Sequence, residues 1–213
     1  MILLAFLIKF VAVLMLSLVA IAATTALLGN RVLAIQFFMG PVVYSAKLGH
    51  VAIRVGCLPI GGFVEPERHP YDDWSFWKSA LSSLAGVAFL LATAAFLAGP
   101  GRTMEWLVTG MVKLLLGAWS PLAVGRYHVA DGIAFLARAS PTESLAGIAM
   151  MFTAFNLLPI PALPLGTLIL RGIARAARLA ADTVERIMVM GAMICLTGWI
   201  LWIVAALAWM AGK

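Results

Sequence analysis

The chain has 213 residues, of which 63% are hydrophobic and 11% charged, and carries a formal net charge of +6. So much apolar side chain cannot be hidden in a soluble core of this size, so the composition excludes an ordinary soluble protein and indicates an integral membrane one. In such a protein basic residues report orientation first; no nucleic-acid module accompanies them, and Cys57 and Cys195 show neither metal-ligand nor disulfide spacing.

Four stretches approach the ~20 apolar residues needed to cross a bilayer. The first fills residues 1–28. It lacks a basic leader and its apolar run is too long for a signal peptide, so it is a span, with Lys9 near its outer end able to snorkel to the headgroups. Residues 32–64 differ in kind. Residues 32–38 are β-branched and aromatic, Met39-Gly40-Pro41 punctuates them, and residues 50–55 alternate after Lys47-Leu48-Gly49. A small antiparallel, membrane-associated hairpin sheet is expected there, with an apolar Gly-rich strand or loop through Val64.

Residues 77–98 form the second expected span. Residues 104–119 are apolar but interrupted by Glu105 and Lys113 and flanked by Trp106 and Trp119, which suits an interfacial helix, a re-entrant helix being the alternative. The third span, residues 144–170, is broken by proline, and the fourth is residues 187–210. The expected fold is therefore an α-helical integral membrane protein of about four transmembrane helices, with a small sheet after the first and a Pro-broken third. No repeat or linker divides residues 1–213, so one membrane domain is expected.

Arginine density sets the expected topology. Arg171, Arg175, Arg178 and Arg186 crowd the short loop before the last span, and residues 29–76 carry Arg31, Lys47, Arg54 and Arg68. The positive-inside bias makes both loops cytoplasmic and leaves both termini outside, as in a bacterial inner membrane protein.

The most specific feature is Asn156-Leu157-Leu158-Pro159-Ile160-Pro161-Ala162-Leu163-Pro164-Leu165-Gly166. Proline lacks a donor and disfavours helix in the residue before it, so the helix beginning near Glu143 must open around Leu158. Backbone groups freed at membrane depth need partners in protein or in a wet cavity. The segment resembles the Asn-x-x-Pro-x-Pro-x-Leu-Asp-Gly signature of the site-2 protease family of intramembrane zinc metalloproteases. Gly40-Pro41 and Pro59-Ile60-Gly61-Gly62-Phe63-Val64 are similar to that family's hairpin motifs, and Leu84-Ala85-Gly86 to the start of its second core helix.

The resemblance implies a zinc site made by His-Glu-x-x-His on the first helix and an Asp in the broken one. Counted from the hairpin motifs, the corresponding residues here are Ser17, Leu18 and Ile21, with Pro164 in place of the Asp. None supplies a ligand, and residues 1–28 contain no His, Glu, Asp or Cys in any register. His50, His69 and His128 lie outside the spans without mutual ligand spacing. The expectation is a catalytically inactive member, a pseudoprotease with no catalytic residue, no metal and no cofactor. It would act as a binding, scaffold or assembly subunit, with a transmembrane segment or subunit of another membrane protein and the lipid bilayer as partners, and no nucleic acid.

Candidate partner-binding residues are Asn156, Pro159, Pro161, Val51, Ile53, Gly61 and Gly62. Val51 and Ile53 would supply a strand edge, and Asn156 would engage an extended backbone or else satisfy carbonyls freed by the prolines. The alternative function is an active protease whose site is unrecognised or completed by another chain. A transporter ranks third, since ionisable residues at membrane depth and a repeat partner for the broken helix are missing.

Overall fold

A computed structural model of the protein describes residues 2–67 and 75–212, and among them are seven α-helices and two strands. Arg68 and His69, used above for topology and as a candidate ligand, lie outside the described residues. The chain packs as two compact units, Ile8–Leu90 and Met1–Leu7 with Leu91–Lys213.

In the first unit, helix α1 (Ile2–Leu27) and helix α2 (Phe76–Ala98) flank the strands β1 (Val32–Leu48) and β2 (Val51–Pro66). Both helices are apolar runs, long enough and apolar enough to span a membrane. They meet through small residues: a Cβ on Gly86 would lie 2.3 Å from Ser17 Oγ, and the Thr25 and Ser82 hydroxyls share a hydrogen bond of 2.5 Å. Thr25 also donates to the Ile21 carbonyl, 2.7 Å away, so its hydroxyl is satisfied inside the apolar layer. Val13, Leu14, Leu18, Val87, Leu90 and Ala34 are buried.

The sheet is not the simple antiparallel hairpin expected. Each strand folds back on itself, β1 where Phe38 and Gly40 take φ values of 64° and 86°, and β2 at Gly61, φ 61°. The Cα partners Leu48↔Val51 through Tyr44↔Val55 run antiparallel, as do Ala34↔Glu65 through Phe37↔Gly62. Between them Ala34↔Ala52, Ile35↔Ile53, Gln36↔Arg54 and Phe37↔Val55 advance together, a parallel stretch. Four segments therefore lie in the order 42–48, 51–56, 32–39, 61–66. Gly56 faces the first bend so closely that a Cβ would sit 2.3 Å from the Met39 carbonyl oxygen. The turn of the hairpin is Gly49-His50, with Gly49 at φ 62°, so His50 caps the tip and is not on a strand.

In the second unit, α3 (Pro100–Trp119) runs four residues further toward the N-terminus than the expected 104–119 segment, because Pro100 opens the helix. Arg102, Glu105 and Lys113 keep it outside the set of membrane-crossing candidates. Its glycines mark its neighbours. A Cβ on Gly110 would come within 3.2 Å of Ala154 on α5 (Pro141–Asn156), and one on Gly117 within 2.3 Å of Trp202 on α7 (Ala181–Ala211). The Trp202 indole N–H donates to the Leu114 carbonyl at 3.3 Å. A π-helical turn, Pro121–Gly125, and α4 (Arg126–Arg138) follow.

Helix α5 starts with a capping box. The Glu143 N–H donates to Ser140 Oγ, and the Ser140 N–H donates to a Glu143 carboxylate oxygen at 3.1 Å. Arg102 donates to the other oxygen at 2.6 Å, tying α3 to α5. These bonds, the Ser140 backbone bond foremost, hold the Glu143 carboxyl below its ordinary value of 4.5. A lowered carboxyl contributes stability above its unfolded value and loses it as pH falls through the folded one. Acidification below the ordinary glutamate range is therefore expected to loosen α5's first turn, and Glu143→Gln to flatten that acid limb in melting curves recorded against pH. An unchanged limb would show that the box adds nothing.

The Pro-broken span resolves into α5 and α6 (Pro164–Ala177), with residues 157–163 between them. Neither piece by itself has the length of a span, so among the described residues three helices, α1, α2 and α7, qualify singly by length and hydropathy. Helix α7 begins six residues before the expected fourth span.

Candidate functional site

The positions where the resemblance places the two zinc-binding histidines and the catalytic Glu are closed by packing. Ser17 Oγ sits against Gly86, Ile21 Cδ1 would lie 3.2 Å from a Cβ there, and Leu18 Cδ1 would lie 2.6 Å from a Cβ on Gly62. Ser17 and Leu18 are 6% and 3% exposed, so this interface has no room for a metal with its water. Pro164, in the second unit, is the first residue of α6 and offers no donor. Judged by donor chemistry and by space, these residues do not fit a zinc ion. Among the described residues no three His, Cys, Asp or Glu side chains gather closely enough to hold one elsewhere.

The two described histidines lie in different elements. His50 is exposed at the hairpin tip. His128 on α4 buries both ring nitrogens without a hydrogen-bond partner; that desolvation and, next, the Lys113 charge push its pKa below the usual histidine value against the pull of Asp131. A neutral imidazole so placed is a packed side chain.

Part of the broken segment's backbone finds partners within the second unit. Leu163 N–H donates to the Ile160 carbonyl at 2.8 Å, and the Thr167 hydroxyl reaches back to the Pro161 carbonyl at 2.6 Å. The Asn156 amide donates to the Phe152 carbonyl at 2.7 Å, finishing the last turn of α5. That carbonyl lies a turn before those the prolines free; the Phe155 carbonyl, which Pro159 cannot reach with a donor, accepts from the Leu158 N–H at 3.1 Å instead. Pro159 is exposed and Pro161 half-buried. Gly166 of α6 and Gly191 of α7 clamp the segment: a Cβ on Gly166 would fall 2.0 Å from the Ile160 carbonyl oxygen, and one on Gly191 2.7 Å from the Ala162 nitrogen. Thr167 and Gly191 escaped the sequence reading. A threonine three residues past the last proline was the only local signal for the first, and nothing local marks the second.

On the sheet the expected edge moves. Ile53 pairs with Ala46 on one side and Ile35 on the other, so it is interior and cannot receive an added strand. Val51 pairs with Leu48 and lines a shallow open groove of about 420 Å³ with Asn30, Arg31 and His50. The free edges are segments 42–48 and 61–66. Gly61 and Gly62 lie on the second of these, while Val43, 66% exposed, and Phe63, 44% exposed, mark the two edges from outside. Arg54 and Glu65 form an ion pair of 2.9 Å on the same sheet.

Comparison with known proteins places this arrangement. The sequence matches Peptidase family M50 over residues 19–198, from inside α1 to the middle of α7. The chain belongs to that family. No curated protein and no solved structure matches it. The M50 match spans both hairpin motifs and the broken segment, and with three long apolar helices it makes the chain an integral membrane protein of the site-2 protease type.

Proposed function

We propose that this M50 protein is a pseudoprotease that works as a binding or assembly subunit for another membrane protein in a bacterial inner membrane. The observation that carries the reading is the closure of α1: Ser17 and Ile21 stand at the family's histidine ligand positions and Leu18 at its catalytic Glu, pressed against Gly86 and Gly62. A metalloprotease needs ligands and an open coordination position for water there. The partner is a transmembrane segment or subunit that adds an extended stretch to a free sheet edge, through backbone donors and acceptors that require no metal. Residues 29–76 and 171–186 face the cytoplasm and both termini face out, an orientation in which α5 and the broken segment after it make the fourth crossing.

Two measurements test this. Elemental analysis of the protein purified from native membranes is expected to find no stoichiometric zinc, and about one zinc per chain would overturn the inactive reading. Copurification followed by mass spectrometry is expected to return a stoichiometric membrane partner. Val43→Lys with Phe63→Lys places charges on both edges at exposed positions and should cut partner recovery several-fold without loss of folded protein. Full recovery with both substitutions removes the sheet edges from the proposal.

A further inference from the structure

Helix α6 carries Arg171 and Arg175 at i and i+4, on one face, and no Asp or Glu, and Arg178 is the residue that caps its C-terminus. Arg186 follows in the second turn of α7. Arg175, Arg178 and Arg186 are exposed, and no ion pair among the described residues involves any of the three. Asp182 and Glu185, also exposed, are the only acidic residues between Arg171 and Arg186, so cations outnumber anions two to one. Like charges repeated at helical spacing repel, and they persist where an external anion offsets them.

The rest of α6 indicates where that anion sits. Gly166, Thr167 and Leu170 form the buried face, while Ile169 and Ile173 are 44% and 54% exposed on a separate apolar stripe. A helix with one outward stripe of arginine and another of isoleucine belongs at the boundary between headgroups and acyl chains. It leads within a few residues into α7, a helix of membrane-crossing length and hydropathy.

A second observation is independent of charge. Arg178 ends α6 in the left-handed conformation, φ 51° and ψ 45°, while the Leu179 N–H closes the turn on the Ala174 carbonyl at 2.9 Å. Glycine is the residue that adopts this position without strain. A large cation held there against backbone preference indicates work for the side chain.

We propose that Arg175, Arg178 and Arg186, close in sequence to Arg171, form a docking surface for the anionic phospholipid headgroups of the bilayer. Guanidinium groups bind phosphate through paired donors, and several together select anionic from zwitterionic lipid.

The test reconstitutes the full chain in phosphatidylcholine bilayers with a trace of spin-labelled phosphatidylglycerol or spin-labelled phosphatidylcholine, and compares how much of each probe is immobilised. Phosphatidylglycerol is expected to be preferred several-fold at low salt and less so at high salt. Each arginine supplies up to about fivefold. The combined variant R175Q/R178Q/R186Q should bring the two probes near parity, whereas R126Q, an exposed arginine on α4, should leave the preference intact. R178G separates stability from binding: it should hold or raise the melting temperature and still lower the preference. Equal immobilisation of the two probes by the wild-type chain overturns the proposal. So does a loss in R126Q as large as in the combined variant, which would make the effect one of net charge.

Discussion

Gly166→Ala is expected to lower the stability of the detergent-solubilised protein by about 2 kcal/mol, within the range for overpacked interiors. Two effects oppose each other at this site. Alanine favours helix over glycine by up to about 1 kcal/mol, and Gly166 is the third residue of α6. Against that, its Cβ would stand 2.0 Å from the Ile160 oxygen, 2.2 Å from the Ile160 carbon and 2.7 Å from the Ile160 nitrogen. All three are backbone atoms, so no rotamer change relieves them. The segment is also fixed from the other side by Gly191 and tied by the Thr167 hydroxyl to Pro161, so it cannot slide away without breaking a half-buried hydrogen bond. Packing wins. Thermal unfolding followed by tryptophan fluorescence checks the sign, and a melting temperature equal to or above wild type would show that the broken segment yields freely.

The second large effect lies in the α1–α2 interface. Gly86→Ala should destabilise the first unit by about 1–3 kcal/mol, because the new methyl meets Ser17 Oγ at 2.3 Å and the Ser17 carbonyl oxygen at 3.1 Å. The worst of these contacts is one side-chain atom, which makes the cost removable. Ser17→Ala deletes that oxygen and should be nearly neutral alone, and combined with Gly86→Ala it should recover most of the loss. The expected coupling is about 1–2 kcal/mol, typical of residues in direct contact. Melting temperatures of the four proteins in this cycle measure it. Simple additivity would mean that the helices part rather than interdigitate, and would remove the packing argument against a metal beside Ser17.

Much of this was legible from local signals. Composition requires a membrane, and a residue's cost in lipid depends on its own side chain, so α1, α2 and α7 are readable in sequence to within a few residues at most ends. The break after Asn156 is equally local, since each proline removes its own donor and restricts its immediate neighbour. The absence of ligands from the first span is a fact of residue identity in any fold.

What only the tertiary structure decided is who lies beside whom. Residues 32–66 announce strands by β-branched and aromatic content, but strand order depends on contacts between residues far apart in sequence, which propensity does not encode. The left-handed turns at Phe38 and Gly61 fold each strand back, place 51–56 in the middle and move the free edges to 42–48 and 61–66. Ile53 has an edge strand's composition and an interior strand's partners for that reason. The same holds for the broken helix. The prolines foretell that carbonyls are freed, and the identity of what satisfies or confines them, Thr167 and Gly191, follows from how α6 and α7 return to the segment. A hydrogen bond or a close approach needs two partners, and the sequence near either one describes only half of it.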